Sequence, residues 1–377
     1  MSATAAGVKD LFQRLDEQQA AEERAGVAEA LSESNVESEV IVVGSKGSGK
    51  SSLILGFVNK ADAPKPTTAL EYKYARFSSK EGSRVIIANI WELAGDTQLA
   101  QLLDVVLSPP RLARSQVVIV ADLSKPGDVL RTVTYWLDAV RARVDACTRE
   151  MRKTELGQAA LRQLDARLPP AASAEVRRVG VPTLVVGAKF DEFEKQSQAS
   201  TEYLQVMAKT LRYFAHSNGA SLVYTREKDK ALLGAMKRII SQHAFEQEAS
   251  AAFQAEYTKG LVVPAGRDSL HQIGHPPGLD GVTDRDRLND AWTRTFQGIF
   301  PPGADAARVD ARDKKKHVVD SDAYAEEAVD VLRIQKLKEL TQRAARFKAE
   351  AAAEASAAAA RASAGAAAAG GGAGGAR

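Results

Sequence analysis

The chain has 377 residues, of which 45% are hydrophobic and 26% are charged, and these proportions are ordinary for a globular protein. Its 51 basic and 48 acidic residues give a formal net charge of +3, and so even a balance gives no argument for a nucleic-acid partner or for an anionic membrane. The chain has one cysteine, Cys147, which predicts a cytosolic protein without internal disulfides. It has no apolar run of roughly 18–20 residues, so no membrane insertion is predicted.

Residues 1–38 are predicted to form an exposed helical arm. Val8, Leu11, Phe12 and Leu15 fall on one face at helical spacing, and Glu, Gln and Ala fill most of the other positions. This pattern fits a helix that packs on its own domain, and it equally fits a helix that docks on another subunit.

From residue 39 to 245, short apolar runs alternate with longer amphipathic stretches. Near-continuous Val, Ile and Leu runs suit strands buried on both faces, so we predict a doubly wound α/β domain with about six mostly parallel strands. The predicted strands are 40–44, 72–78, 85–93, 116–123, 181–189 and 220–225. The predicted helices are 50–60, 97–107, 127–146, 200–216 and 229–245. The stretch 147–180, helical in its first half, is interpreted as an insertion.

Three further segments follow the predicted sheet domain. Residues 246–321 are rich in Gly, Pro and Asp and are predicted to be an irregular extension that packs on the domain. Residues 322–350 are predicted to be an amphipathic docking helix, because apolar residues recur at steps of three and four. These residues are Ile334, Leu337, Leu340, Ala344 and Phe347. The Ala- and Gly-rich segment 351–377 cannot bury a core and is predicted to be a disordered tail.

The segment GSKGSGKSS follows the apolar run EVIVV and matches the phosphate-binding pattern G-x-x-x-x-G-K-[ST] of P-loop NTPases. Its backbone N–H groups and the N-terminus of the next helix would bind phosphates. Lys50 would contact the β- and γ-phosphates, and the Ser51 hydroxyl would ligate Mg²⁺. The predicted nucleotide-binding residues of this loop are Gly44, Ser45, Lys46, Gly47, Ser48, Gly49, Lys50, Ser51 and Ser52.

Hydrolysis requires residues beyond the loop, and these depart from the usual pattern. Thr67 or Thr68 would close on Mg²⁺ and the γ-phosphate, so Ser51 and Thr67 are the predicted metal ligands if nucleotide binds. The residues Glu92 to Gly95 match D-x-x-G with glutamate in place of aspartate. Asp96 stands where many GTPases have a glutamine that positions water, and a carboxylate cannot donate a hydrogen bond there. We therefore predict no catalytic residue.

The guanine-recognition pattern N-K-x-D is also incomplete. In GAKFD, Lys189 and Asp191 are present while Ala188 replaces the asparagine. Asp191 would still accept hydrogen bonds from the guanine edge, without the support of the amide. Gly95, Lys189 and Asp191 complete the predicted nucleotide site, and the sequence leaves open whether GTP, GDP or neither is bound.

Six segments of this chain, in this order, resemble the light intermediate chain family of cytoplasmic dynein. They are GSKGSGKSS, PKPTTALEYKYAR, IWELAGDTQLAQLL, VVIVADLSKPGD, LVVGAKFDEF and LRYFAHSNGASLVYT. ALEYKY, DLSKP and FAHSNGASL are most similar to the branch that serves cytoplasmic dynein 2, the retrograde motor of intraflagellar transport. The resemblance extends from about residue 38 to residue 345.

The resemblance implies a Ras-like G-domain in a structural subunit, with the ATPase on another chain. Its partners would be the dynein heavy-chain tail, which it would stabilise, other dynein 2 subunits and intraflagellar transport trains. It would be found in the cytoplasm, on the cytoskeleton and in the cilium or flagellum, including axoneme and basal body. The alternative from the loop alone is an active Ras-like regulatory GTPase, which Asp96 and Ala188 disfavour.

Overall fold

The computed structural model describes residues 35–59, 63–78, 85–95, 97–170, 176–196, 200–248, 252–276, 282, 284–303, 331–332, 334–336, 338–343 and 346. The chain divides into two units, Met1–Ala306 and Ala307–Arg377. Most of the predicted N-terminal arm (1–34) and the predicted tail (351–377) lie outside the described residues.

Seven strands of the first unit form one sheet in the order β2-β3-β1-β4-β5-β6-β7. They are β1 (Asn35–Gly44), β2 (Leu70–Ser78), β3 (Val85–Leu93), β4 (Ser115–Asp122), β5 (Thr183–Ala188), β6 (Ser221–Tyr224) and β7 (Val262–Val263). The pairs β3-β1, β1-β4, β4-β5 and β5-β6 are parallel. The edge strands β2 and β7 run antiparallel to their neighbours β3 and β6. The predicted mostly parallel α/β fold is confirmed.

Helices cover both faces of this sheet. They are α1 (Lys50–Phe57), α2 (Leu103–Val106), α3 (Pro109–Leu112), α4 (Pro126–Met151), α5 (Glu155–Ala166), α6 (Phe190–Gln196), α7 (Thr201–Ser217), α8 (Lys230–Ala244), α9 (Leu270–Ile273) and α10 (Arg285–Ile299). A 3₁₀ helix, Thr97–Leu102, precedes α2. Every residue of β4 and β5 is buried, which explains why both sequences are apolar runs without alternation.

Successive residues of β1 point to opposite cores. Val40 and Val42 pack in the core formed with α1 and α8. Ile41 and Val43 pack in the larger core formed with α4, α7 and α10. Since both faces of the strand are buried, the loop that follows it at Gly44 is held at the carboxyl edge of a rigid sheet.

Two predicted boundaries are corrected. Residues 35–38 belong to β1 and not to a helical arm, because they pair in parallel register with residues 85–88 of β3. The extension 246–321 is not irregular throughout, since it supplies β7 and the 15-residue helix α10. Asp284 caps α10 by accepting a hydrogen bond from the Arg287 N–H. This cap and the four-residue spacing of Leu288, Trp292 and Phe296 are the sequence features that indicate the helix.

The insertion 147–180 begins inside a helix. Helix α4 continues to Met151, and α5 follows after a turn in which Thr154 accepts a hydrogen bond from the Gly157 N–H. A Cβ on Gly157 would lie 2.0 Å from the Met151 carbonyl oxygen, so the close approach of the two helices requires glycine there.

In the second unit, the described residues between 331 and 346 are helical. Val331, Leu332, Ile334 and Leu340 are 58–66% exposed. Leu337, Ala344 and Phe347 of the predicted docking seam lie outside the residues whose side chains are described. Across the described part of the chain, no helix combines the length and apolarity needed to cross a membrane.

Candidate functional site

The phosphate-loop segment connects the end of β1 to the start of α1, as its pattern predicts. Gly44 has φ 145°, and a Cβ there would lie 2.1 Å from the Val120 carbonyl oxygen on β4. Gly47 (φ 74°) and Gly49 (φ 94°) also have conformations that favour glycine. The three glycines therefore let the backbone turn tightly at the edge of the sheet.

Lys50 lies buried within this loop. Its Nζ donates hydrogen bonds to the carbonyl oxygens of Ser45 at 2.8 Å and Gly44 at 3.2 Å. Burial lowers the pKa of Lys50, and the negative charge of Glu92 opposes that shift. The ammonium group is thus positioned inside the loop. A bound phosphate would interact with it there in place of the water that burial removes.

Ser51, at the start of α1, contacts the end of β3. Its hydroxyl donates to Glu92 Oε1 at 2.7 Å, and Glu92 is only 3% exposed. The other carboxylate oxygen, Oε2, has no hydrogen-bond partner among the described residues, and neither has the buried hydroxyl of Ser48. Oxygen donors of this kind fit a divalent cation such as Mg²⁺, and the unpaired Oε2 is the observation that supports the fit.

Gly95 brings the segment after β3 against the phosphate loop. A Cβ on Gly95 would lie 2.1 Å from the backbone nitrogen of Lys46, so only glycine permits this contact. The Gly95 backbone therefore lies beside the cradle, where the sequence predicts it. Asp96 lies outside the described residues.

Thr67 lies in the segment before β2, and its role at a bound Mg²⁺ stays a prediction. Its hydroxyl donates to Glu71 at 3.2 Å, and no hydrogen bond within the described residues joins it to Ser51. Thr68 is exposed in the same segment before β2. Among the described residues, Glu92 is the side chain to which the Ser51 hydroxyl donates its hydrogen bond.

A cavity of about 950 Å³ joins the loop to the predicted base-recognition residues. Ser48, Gly49 and Ser52 line one part of it, and α1 and α8 form a wall. Its lining also includes Ala188 and the polar residues Lys189, Asp191, Thr225 and Arg226. The cavity thus lies between three residues of the loop and the predicted base-recognition residues Lys189 and Asp191, while Lys50 and Ser51 are not among its lining residues.

Lys189 makes an ion pair that the sequence motif does not predict. Its backbone has φ 60°, and its Nζ lies 2.7 Å from Asp122 Oδ2. Asp122 also accepts hydrogen bonds from the backbone N–H and the hydroxyl of Ser124. The two side chains meet because Asp122 and Ala188 are register partners at the ends of adjacent parallel strands.

Arg226 is a further lining residue that sequence reasoning missed. Its guanidinium lies 2.7 Å from Glu194 Oε1 and 4.9 Å from the centre of the Phe190 ring. Burial raises the pKa of Glu194, and the Arg226 charge opposes that shift. Because 32 residues separate the ion-paired side chains, no local pattern indicates their contact.

Comparison with known proteins places this site within a family. The family model for dynein light intermediate chains matches residues 28–164 and 148–375. The chain belongs to the dynein light intermediate chain family. The resemblance found in the sequence motifs is thereby confirmed.

Two cytoplasmic dynein 2 chains show higher identity and coverage than a cytoplasmic dynein 1 chain. Cytoplasmic dynein 2 light intermediate chain 1 of Bos taurus is 34% identical over 317 residues, covering 81% of this chain and 87% of the relative. The Danio rerio protein of the same name is 31% identical over 347 residues, with coverages of 90% and 92%. Cytoplasmic dynein 1 light intermediate chain 1 of Homo sapiens is 25% identical over 268 residues, 62% of this chain and 51% of that protein.

A solved structure supports the fold. The crystal structure of the dynein light intermediate chain's conserved domain superposes with a TM-score of 0.51 and 19% identity. The match covers 71% of this chain and 93% of that one. It confirms the predicted Ras-like fold class of the sheet domain.

Proposed function

We propose that this chain is a non-catalytic light intermediate chain subunit of the cytoplasmic dynein 2 motor, where it binds and stabilises the heavy-chain tail. The observation that carries the proposal is the 34% identity to a dynein 2 relative across 87% of its length, against 25% across 51% of a dynein 1 relative. The subunit serves retrograde intraflagellar transport and cilium assembly. Its further partners are the other dynein 2 subunits and the transport trains, in the cytoplasm and the cilium or flagellum.

The helix predicted over 322–350 is the proposed docking element. Its described residues are helical, and Val331, Leu332, Ile334 and Leu340 expose large apolar side chains. Exposed apolar residues clustered on one helix are typical of a surface that a partner covers. The helix would bury them against the heavy chain or another subunit of the complex.

The phosphate cradle binds GDP or GTP with Mg²⁺ as a structural ligand in this proposal. Lys50 would contact the phosphates, and Ser51 and Glu92 would hold the cation, which neutralises phosphate charge when bound. GTP hydrolysis is not expected, because Asp96 stands where many GTPases have the glutamine that positions water. Ala188 also lacks the side-chain amide that asparagine supplies to base recognition.

The alternative function is an active Ras-like regulatory GTPase, and the assembled cradle around Lys50 favours it. Measurement of GTP turnover by the purified full chain, with Lys50→Ala beside it, separates the two. A rate comparable with that of an activated GTPase, lost in Lys50→Ala, would overturn the non-catalytic proposal. We expect no turnover that differs between the two proteins.

The central test is affinity purification of tagged chain from ciliated cells, followed by mass spectrometry. The wild type should recover a dynein 2 heavy chain and transport-train subunits, and Lys50→Ala should recover them too. Removal of residues 322–377 should lower the yield, whereas removal of 351–377 alone is the matched control and should not. Equal yield from the longer truncation would overturn the docking helix, and absence of any heavy chain with the wild type would overturn the subunit proposal.

A further inference from the structure

Two arginine side chains from different helices meet at one amide oxygen. Arg141 of α4 donates through Nη2 to Oδ1 of Asn218, and Arg285 at the start of α10 donates to the same oxygen at 3.2 Å. Asn218 follows α7 and precedes β6, so it lies at the amino edge of the parallel strands. The phosphate loop follows β1 and lies at the carboxyl edge, so the two regions are separate.

Each of these guanidinium groups retains a buried donor. The Nε atoms of Arg141 and Arg285 are both buried and have no hydrogen-bond partner among the described residues. Arg141 as a whole is only 7% exposed. Because buried N–H groups almost always have a partner, two unpaired ones around a single amide oxygen require an explanation.

Positive charge also exceeds negative charge around Asn218. Arg141 forms an ion pair with Asp138 at 2.6 Å, but that carboxylate is 75% exposed and therefore well hydrated. Within the described residues, neither Arg285 nor the exposed Arg177 takes part in an ion pair. The cluster is therefore a set of cations without enough counter-charge.

Arg177 is the third cation of this cluster. Its backbone N–H donates to the carbonyl oxygen of Ser217 at 2.9 Å, directly before Asn218. Burial lowers the pKa of Arg285, and the positive charges of Arg141 and Arg177 contribute to the same shift. The guanidinium groups are thus close enough to repel each other, and an anion between them would replace this repulsion by attraction.

A purely structural role explains only part of the arrangement. The carboxyl end of α7 carries partial negative charge, and both arginines reach the residue that ends this helix. That role uses one donor of each guanidinium group and leaves the two Nε atoms unexplained. Asp286 opposes the pKa shift of Arg285, yet it is exposed and forms no ion pair with it within the described residues.

We propose that Arg141, Arg177 and Arg285 form an anion site that binds a phosphate group. Guanidinium groups bind phosphate through paired N–H donors, and a tetrahedral anion offers oxygens to cations that come from three elements of the fold. A planar carboxylate instead fits a single guanidinium fork. The phosphate group comes either from the free inorganic ion or from a phosphorylated side chain.

The test measures thermal unfolding of the full chain carrying Lys50→Ala, because the phosphate loop is itself expected to attract anions. Sodium phosphate replaces sodium chloride at constant ionic strength and neutral pH. We expect about 10 mM phosphate to raise the unfolding midpoint by at least about 3 °C, since a ligand of the folded state stabilises it. Sodium acetate offers a carboxylate instead and should raise the midpoint by less than about 1 °C.

Three variants in the same background locate the response. Arg285→Gln removes one charge and should weaken the apparent phosphate affinity at least about tenfold. Arg177→Gln should also weaken it, and this variant carries the test if Arg285→Gln does not fold, because Arg177 is exposed. Arg287→Gln is the matched control, since Arg287 is an exposed arginine of the same helix, and its response should equal that of the parent.

A second anion distinguishes the sources of the phosphate group. If O-phosphoserine raises the midpoint as phosphate does, the site accepts a phosphorylated side chain. A rise with inorganic phosphate alone would assign the site to the free ion.

Equal midpoints in phosphate and chloride would overturn the inference, and so would an equal rise with acetate. It would also fail if Arg287→Gln lost as much of the response as Arg285→Gln. A purely structural role predicts a lower midpoint for Arg285→Gln with an unchanged response to phosphate, and that result would contradict the anion site. Heavy-chain recovery does not enter this test, so the subunit proposal stands or falls independently.

Discussion

Helix α10 and the helical residues between 331 and 346 have similar amphipathic sequences and opposite environments. In α10, Leu288, Trp292 and Phe296 are 1–2% exposed, whereas Val331 and Ile334 of the other helix are 58% and 66% exposed. The first helix is part of the domain core, and the second presents its apolar residues to solvent. An amphipathic pattern therefore predicts a helix with one apolar face. The pattern does not indicate whether that face packs in the core of its own domain or against a partner.

Specific contacts hold α10 in the core. The Tyr213 hydroxyl on α7 donates to Asn289 Oδ1 at 2.9 Å, and the Tyr213 and Trp292 rings stack with centroids 5.9 Å apart. Phe296 packs with Phe300 just beyond the helix, at 5.0 Å between centroids. For the exposed helix, the described contacts include a surface ion pair between Lys336 and Glu339, which contributes little to stability.

The largest expected effect is on the buried helix. Trp292→Ala should lower the free energy of unfolding by about 3–5 kcal/mol, because it removes a buried aromatic side chain and leaves a cavity. Urea denaturation of the full chain measures the change. Gln297→Ala, on the exposed face of the same helix, is the control and should change it by less than about 0.5 kcal/mol. A Trp292→Ala change as small as the control would mean that α10 is not part of the core.

The second prediction concerns the exposed helix. Replacing Ile334 and Leu340 together by aspartate should weaken recovery of the dynein heavy chain at least about tenfold, since charges would enter the apolar contact. The denaturation midpoint of the sheet domain should not change, because both side chains are exposed. Lys338→Gln on the same helix is the control for altered charge. Unchanged heavy-chain recovery in the double variant would contradict the docking role.

A smaller effect is expected from the polar contact that anchors α10. Tyr213→Phe should lower the free energy of unfolding by about 1 kcal/mol, because the hydroxyl contacts with Asn289 Oδ1 and the Arg285 carbonyl oxygen are lost while the ring still packs. Thermal and urea unfolding both report this change. Tyr203→Phe is the matched control, as Tyr203 is 41% exposed. If both variants lose the same stability, the Asn289 contact does not anchor the helix.

The smallest expected effect is that of the nucleotide loop on assembly. Lys50→Ala should abolish binding of a fluorescent GDP analogue while heavy-chain recovery stays within about twofold of the wild type, since separate sites act independently. Co-purification and analogue binding are measured on the same preparations. A loss of heavy chain as large as that of the Ile334 and Leu340 double variant would show that the loop contributes to assembly as strongly as the helix.

Local sequence patterns were sufficient for much of the fold. Apolar runs such as 116–123 correspond to β4, because a strand buried on both faces needs apolar residues at every position. The extension was harder to predict, because Gly and Pro near 300 obscure the helix pattern of Leu288, Trp292 and Phe296. For β7, two residues carry no periodicity, and only pairing with β6 makes Val262 and Val263 a strand.

The sequence by itself determined the phosphate loop. Nine consecutive residues include both the glycines that the tight turn requires and the lysine that lies inside the loop. It also determined the family, through segments spread along the chain. Only the tertiary structure decided that Glu92 meets Ser51 and that Asp122 pairs with Lys189. Those partners are 41 and 67 residues apart in the chain. Their contact depends on strand order and register, which no local pattern of residues specifies.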